Sequence, residues 1–291
     1  MKLLRFSVED RVHIGVKQGN RIIDLTAYAK SRNYPFPNTM EQIITSWNKV
    51  SVFIESLIPN EIERFRLTEG QLQFLPVVES PEKIICVGVN YQEHADESNL
   101  AVLDDPVLFN KFANSLNAHQ NNILMPATSK ENDYEGELVV IIGKVARNIS
   151  KEDALNYVFG YSIANDISSR DWQFRTHQWM LGKAIDGYCP VGPYIVTADE
   201  IQDPHHLNIR TYVNGEIRQN ANTSQMIFNC ADIISYLSAH MTLMPGDVIL
   251  TGTPEGVILG MDPSKRQYLQ AGDIVEIEIE GIGRLKNKFV R

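Results

Sequence analysis

The sequence predicts an α+β protein dominated by strands, with a small α+β unit ahead of a larger body. Three observations carry this. From Lys83 to Val290, short apolar or alternating runs recur between Gly, Pro, Asn and Asp, the pattern of successive strands. Residues 1–75 hold three short strand patterns and one amphipathic helical pattern. Between them, residues 76–82 form a linker, because Pro76 and Pro81 hold their flanks extended.

The N-terminal strands are expected at Leu3–Phe6, Val12–Val16 and Arg21–Leu25, with Gln18-Gly19-Asn20 turning between the last two. Thr39 is placed to cap a helix that carries Ile43, Ile44, Trp47, Val50, Ile54 and Leu57 on one apolar face. No acid, base or nucleophile clusters here, and His13 reads as a strand residue. The main body, 83–291, opens on a buried strand at Lys83–Tyr91, and Pro106–Lys111 follows as another. Lys111, in a Phe-x-Lys pattern with Phe109, has two placements, facing the site or solvent; a lysine at a strand end is more often solvated, and solvent is the expected one. The polar run Asn114–Asn122 reads as a loop with His119 exposed. Strands at Leu138–Ile142 and Phe159–Ala164 are separated by a short helix begun by Ser150 and Asp153. A hairpin turns at Asn214-Gly215, and a helix then carries Ile227, Ile233, Ile234 and Leu237. Val248–Thr253, Asp273–Glu280 and Gly283–Val290 complete the strands.

Composition narrows the partners. A net charge of −9 argues against nucleic acid or an anionic membrane surface. No apolar run of about twenty residues and no signal-peptide pattern is present, so the expected compartment is the cytoplasm. Cys86, Cys189 and Cys230 are odd in number and sit among apolar residues, as reduced core cysteines do.

The chemistry is concentrated between Asp133 and Lys183. Glu135-Gly136-Glu137 runs directly into Leu138-Val139-Val140-Ile141-Ile142, an apolar run that reads as a strand buried on both faces. Residues two apart project to one side of a strand, so two carboxylates enter a core together. Leaving them there unpaired costs several kcal/mol, about the desolvation of a buried charge. A cation removes the difficulty. The same spacing recurs at Glu276-Ile277-Glu278-Ile279-Glu280, where acids alternate with Val275, Ile277 and Ile279 on what reads as a solvated strand face. Asp166, at the end of the next strand, adds a third carboxylate. Three carboxylates without His or Cys suit a hard ion, Mg²⁺ or Mn²⁺ before Zn²⁺, with Ca²⁺ a further candidate. His94 and Glu97 are three apart, one helical turn, and a carboxylate beside an imidazole makes a general base.

The run Asp133–Gly143, Asn165-Asp166-x-Ser168-x-Arg170-Asp171, Gly182-Lys183 and Thr251-Gly252-Thr253-Pro254-Glu255-Gly256 together resemble the fumarylacetoacetate hydrolase superfamily, in its two-domain acylpyruvate hydrolase form. The resemblance spans about Pro81 to Arg291 and implies a mixed β-roll or sandwich. It implies Glu135, Glu137 and Asp166 as metal ligands and Lys183, with His94 and Glu97, as catalytic. Asn90-Tyr91-x-x-His94-x-x-Glu97 would be a lid whose His–Glu pair orders over substrate. Tyr91, Arg170, Gln173 and Thr253 become candidate substrate contacts, and a homodimer is expected. One departure is Ala184-Ile185, where the family has Ser or Cys and then an aromatic.

The expected reaction is set by that site. A small 2-oxo or 2,4-dioxo acid would chelate the ion, which stabilises an enolate as a Lewis acid. Water activated by His94 and Glu97 would cleave a carbon–carbon bond to give pyruvate and a carboxylic acid. Decarboxylation of oxaloacetate passes through the same enolate. Isomerisation of an unsaturated 2-oxo acid, and a non-catalytic metal-stabilised binding protein, are the further alternatives.

Overall fold

The apolar run after Glu137 forms the strand Gly136–Ile142, buried at every position. Its two faces feed two different cores. Leu138, Val140 and Ile142 pack with Ile209, Ile277 and Leu285. Val139 and Ile141 pack with Ile43, Ile44 and Val50 from the N-terminal region. A strand clad on both sides needs apolar residues at every position, which is why no alternation shows in the sequence.

A computed structural model describes residues 1–57 and 59–291, without the side chains of 59 and 60. The fold is α+β and mainly β, as expected. A large mixed sheet runs in the order Arg66–Leu67, Arg21–Asp24, Arg11–Gln18, Lys2–Val8, Cys189–Thr197, Val158–Asn165, Gly136–Ile142, Val248–Leu250, Ile84–Gly88, Val107–Lys111. A second sheet orders Glu216–Asn222, Asn208–Val213, Ile274–Ile279, Gly283–Val290, Asn122–Leu124 and packs over the first through the Leu138 core. The N-terminal strands pair directly with the body: Lys2 and Leu3 lie opposite Val196 and Ile195.

Several local features differ from expectation. The helix expected from Thr39 to Leu57 is two helices, Met40–Thr45 and Trp47–Glu55, joined at Ser46. Thr45 and Ser46 turn their hydroxyls back onto the carbonyls of Glu41 and Gln42, a local competition that bends helices. A helix at Leu25–Ser31 was not expected; Asp24 caps it by accepting from the Ala27 N–H at 2.8 Å. Strand Cys189–Thr197 is absent from the sequence expectations because Pro190 and Pro193 argue against a central strand. His119 is buried, not exposed: its ring stands edge-on to Phe74, and its Nδ1 accepts from the Lys286 N–H at 3.1 Å. The three cysteines are free and buried. Among the described residues, no helix is long and apolar enough to cross a membrane.

Candidate active site

Antiparallel pairing brings the three carboxylates together. Strand Gly136–Ile142 pairs with Val158–Asn165 so that Gly136 faces Asn165, and the Asp166 N–H donates to the Glu135 carbonyl at 2.9 Å. Asp166 therefore arrives beside Glu135 although it lies far along the chain. Glu135, Glu137 and Asp166 are all buried, and each offers an oxygen within 4.8 Å of the others.

Cations surround this triad. Lys183 Nζ donates to Glu135 Oε2 and, at 2.9 Å, to Asp166 Oδ2. Its ammonium also lies 4.9 Å from the Phe109 ring centroid. Arg170 does not pair with the adjacent Asp171. Its Nε and Nη2 grip Asp133 Oδ2 at 3.0 and 2.8 Å, Nη2 also reaches Glu135 Oε1 at 2.7 Å, and Nη1 donates to Gln173. That leaves the guanidinium one N–H without a partner in this set.

Lys111 is the residue whose position departs most from the sequence expectation. It is fully buried, with Nζ 2.7 Å from Asp166 Oδ1. Its three N–H groups are directed at the carbonyls of Ile167, Lys183 and Tyr188. Asp166 Oδ1 thus feels the charge but receives no well-directed hydrogen bond. The only signal in the sequence was the Phe-x-Lys spacing of Phe109 and Lys111.

These surroundings divide the two glutamates. Burial pushes the Glu135 carboxyl up, but Lys183 and Arg170 outweigh burial and hold it well below the usual range. For Glu137, burial, then Asp166 and Glu135, outweigh the charge of Lys183 and push its carboxyl well above the usual range. Its Oε2 accepts the Gly252 N–H at 2.6 Å, which offsets only part of that cost. The donor set fits a hard divalent cation: three clustered carboxylate oxygens, one of them lacking a directed hydrogen bond and one carboxyl destabilised as an anion.

The triad opens on a cavity lined by His94, Arg170, Gln173, Lys183 and Thr253, with Val87, Val89, Leu100, Phe109, Trp179 and Leu259 as apolar walls. His94 sits on the helix Gln92–Ser98, its Nδ1 3.0 Å from Glu97 Oε1. Thr253 lines the cavity with its hydroxyl already engaged, donating to the Gly136 carbonyl and accepting from Gln219 Nε2. Tyr91 is not brought to the cavity. It lies in the core between the sheets, its hydroxyl without a hydrogen-bond partner among the described residues. Asn90 anchors the chain just before the helix Gln92–Ser98 by donating to the carbonyls of Thr251 and Phe228. Next to Lys183, the Ala184 carbonyl accepts from Asn114 Nδ2 at 3.1 Å.

Comparison with known proteins agrees with this architecture. The mitochondrial oxaloacetate tautomerase fahd2 of Xenopus laevis is 40% identical over all of this chain and 90% of its own length. The human oxaloacetate tautomerase FAHD2A is 39% identical, with 92% of its length covered. Among solved structures, the fumarylacetoacetate hydrolase of Exiguobacterium antarcticum superposes with a TM-score of 0.86 at 38% identity, covering 100% and 99% of the two chains. Maleylpyruvate hydrolase from Sphingobium sp. SYK-6, in complex with manganese(II) and pyruvate, gives 0.82 at 33% identity with the same coverage. Residues 83–290 match the fumarylacetoacetate (FAA) hydrolase C-terminal family. The chain belongs to the fumarylacetoacetate hydrolase family.

Proposed function

We propose that this chain is an enzyme of small 2-oxo acids that interconverts the keto and enol forms of an oxaloacetate-type dicarboxylate. The observation that carries the reading is a single imidazole, His94, facing a buried cluster of three carboxylates and their cations across one cavity. Keto–enol exchange needs one group that carries a proton between C3 and the oxygen on C2, and a counter-charge for the enolate. The tautomerase relatives, matched along the whole chain, support this choice.

Each group has a stated task. The Glu97 carboxylate holds His94 by Nδ1, which leaves Nε2 to carry the proton between the substrate carbon and its 2-oxygen. Lys183 and the spare N–H of Arg170 are cationic donors for the substrate carboxylates. The walls formed by Leu100, Phe109 and Trp179 exclude water, which strengthens those contacts. Glu135, Glu137 and Asp166 would hold a divalent cation, Mg²⁺ or Mn²⁺, whose charge draws electrons from the 2-oxo group and favours the enolate.

Hydrolysis of a carbon–carbon bond in a 2,4-dioxo acid is the second reading. It is favoured by the same His94–Glu97 pair, which could instead deprotonate a water, and by the maleylpyruvate hydrolase likeness. Decarboxylation of oxaloacetate shares the enolate. One experiment separates them: enol-oxaloacetate absorbance, pyruvate formation and acetylpyruvate loss, each monitored with Mg²⁺ and with chelator. Faster loss of enol absorbance without pyruvate is expected. It should fall about 10²-fold or more in His94→Gln, as removal of a general acid–base group does. Pyruvate from acetylpyruvate would establish the hydrolase instead, and pyruvate from oxaloacetate the decarboxylase.

A further inference from the structure

The Glu97 carboxylate is itself held by the loop that follows Thr253. Its Oε1 contacts His94, while its Oε2 accepts the Gly256 N–H at 2.9 Å. Gly260 lies against the same carboxylate. A Cβ on residue 260 would stand 2.3 Å from Glu97 Cδ and 2.5 Å from Oε2. We propose that Gly256 and Gly260 form the seat that fixes Glu97, and through it His94, so that Gly260 is a positioning residue for proton transfer.

Three observations make the seat a built feature. The loop is rigidly tied, because Asp133 accepts from the Ile258 and Leu259 N–H groups at 2.9 and 3.0 Å. The Tyr134 hydroxyl donates to the Gly256 carbonyl at 2.7 Å. Asp133 and Tyr134 directly precede Glu135, so the carboxylate cluster and the seat of Glu97 share one anchor. The two glycines serve different ends. Gly256 has φ +99°, and a Cβ there would meet the Arg218 carbonyl oxygen at 2.0 Å, so backbone geometry alone demands glycine. Gly260 has no left-handed φ, and the atoms nearest its missing Cβ are the far end of Glu97. Glycine at 260 protects the position of that carboxylate. An added methyl would push it off its seat while the loop keeps its path.

The inference rests on His94 as the proton-transfer group, and the test is chosen so that the two can fail separately. Gly260→Ala is made in the wild-type chain and in Glu97→Ala. Turnover and amide hydrogen exchange of the helix Gln92–Ser98 are then measured. In the wild-type background kcat is expected to fall about tenfold or more with KM little changed, the mark of lost transition-state placement. Exchange across the helix should quicken. In Glu97→Ala neither quantity should change further. Equal losses in both backgrounds, or unchanged turnover and exchange, overturn the proposal. If Gly260→Ala unfolds the wild-type chain but not Glu97→Ala, the contact with Glu97 stands; unfolding in both overturns it. If no 2-oxo acid is turned over, the functional reading fails, and the exchange comparison still decides the seat.

Discussion

Two strands of this protein carry the same Glu-x-Glu spacing and put it to opposite uses. Around Glu135 and Glu137 every residue of the strand is buried, and the cations come from distant segments: Lys111, Arg170 and Lys183. Along Ile274–Ile279, Val275, Ile277 and Ile279 are buried while Glu276 and Glu278 look outward. There the partners are local, Arg284 and Lys286 on the adjacent strand. Spacing alone therefore says nothing about chemistry. The residues next to each glutamate decide its fate: a continuous apolar run draws the acids into a core, and alternation leaves them in water.

Breaking the buried region should have the largest effect on stability. Lys111→Met removes the cation beside Asp166 and takes a donor from three carbonyls, of which that of Tyr188 keeps the Ile167 N–H, a loss of about 3–5 kcal/mol, as for a buried pair with one partner removed. Denaturant unfolding measures it, and a loss under about 1 kcal/mol would place Lys111 with ordinary surface lysines.

His119 tests the boundary between the two regions, because its Nδ1 accepts from the backbone of Lys286. Burial lowers its pKa from 6.5 to about 4. Below pH 6.5 the unfolded chain takes up a proton that the folded chain refuses. The contribution is full above pH 6.5 and is lost as pH falls towards 4, by about 2 kcal/mol after discounting the ring's residual solvent contact. His119→Gln should flatten that part of the stability–pH curve; an unchanged curve would contradict the assignment.

The exposed ladder should matter least. Arg284→Ala is expected to cost about 0–1 kcal/mol and less at high salt, as solvated ion pairs do. A loss equal to that of Lys111→Met would erase the contrast between the strands.

Much of this contrast was legible in the sequence, and the parts that were not share a cause. The apolar run after Glu135 and Glu137 indicated their burial, and alternation indicated the exposure of Glu276 and Glu278. Lys111 was assigned to solvent because a strand end looks open when its neighbours are read in line. Its three carbonyl acceptors come from residues 56 to 77 positions away. His119 sits among polar neighbours, but the chain folds it between Phe74 and Lys286. Each error replaced a tertiary partner with a sequence neighbour. Tyr91 differs: its position before the helix Gln92–Ser98 suggested a place at the site, and the ring turns instead into the core.

The central claim is that the buried glutamates hold a divalent cation and the exposed ones do not. Calorimetric titration of Mn²⁺ into the wild-type chain, Glu135→Gln and Glu276→Gln tests it most directly. Wild type and Glu276→Gln should bind with equal affinity, and Glu135→Gln should bind at least about tenfold more weakly, a difference of about 1.4 kcal/mol. Equal binding by all three would contradict the account.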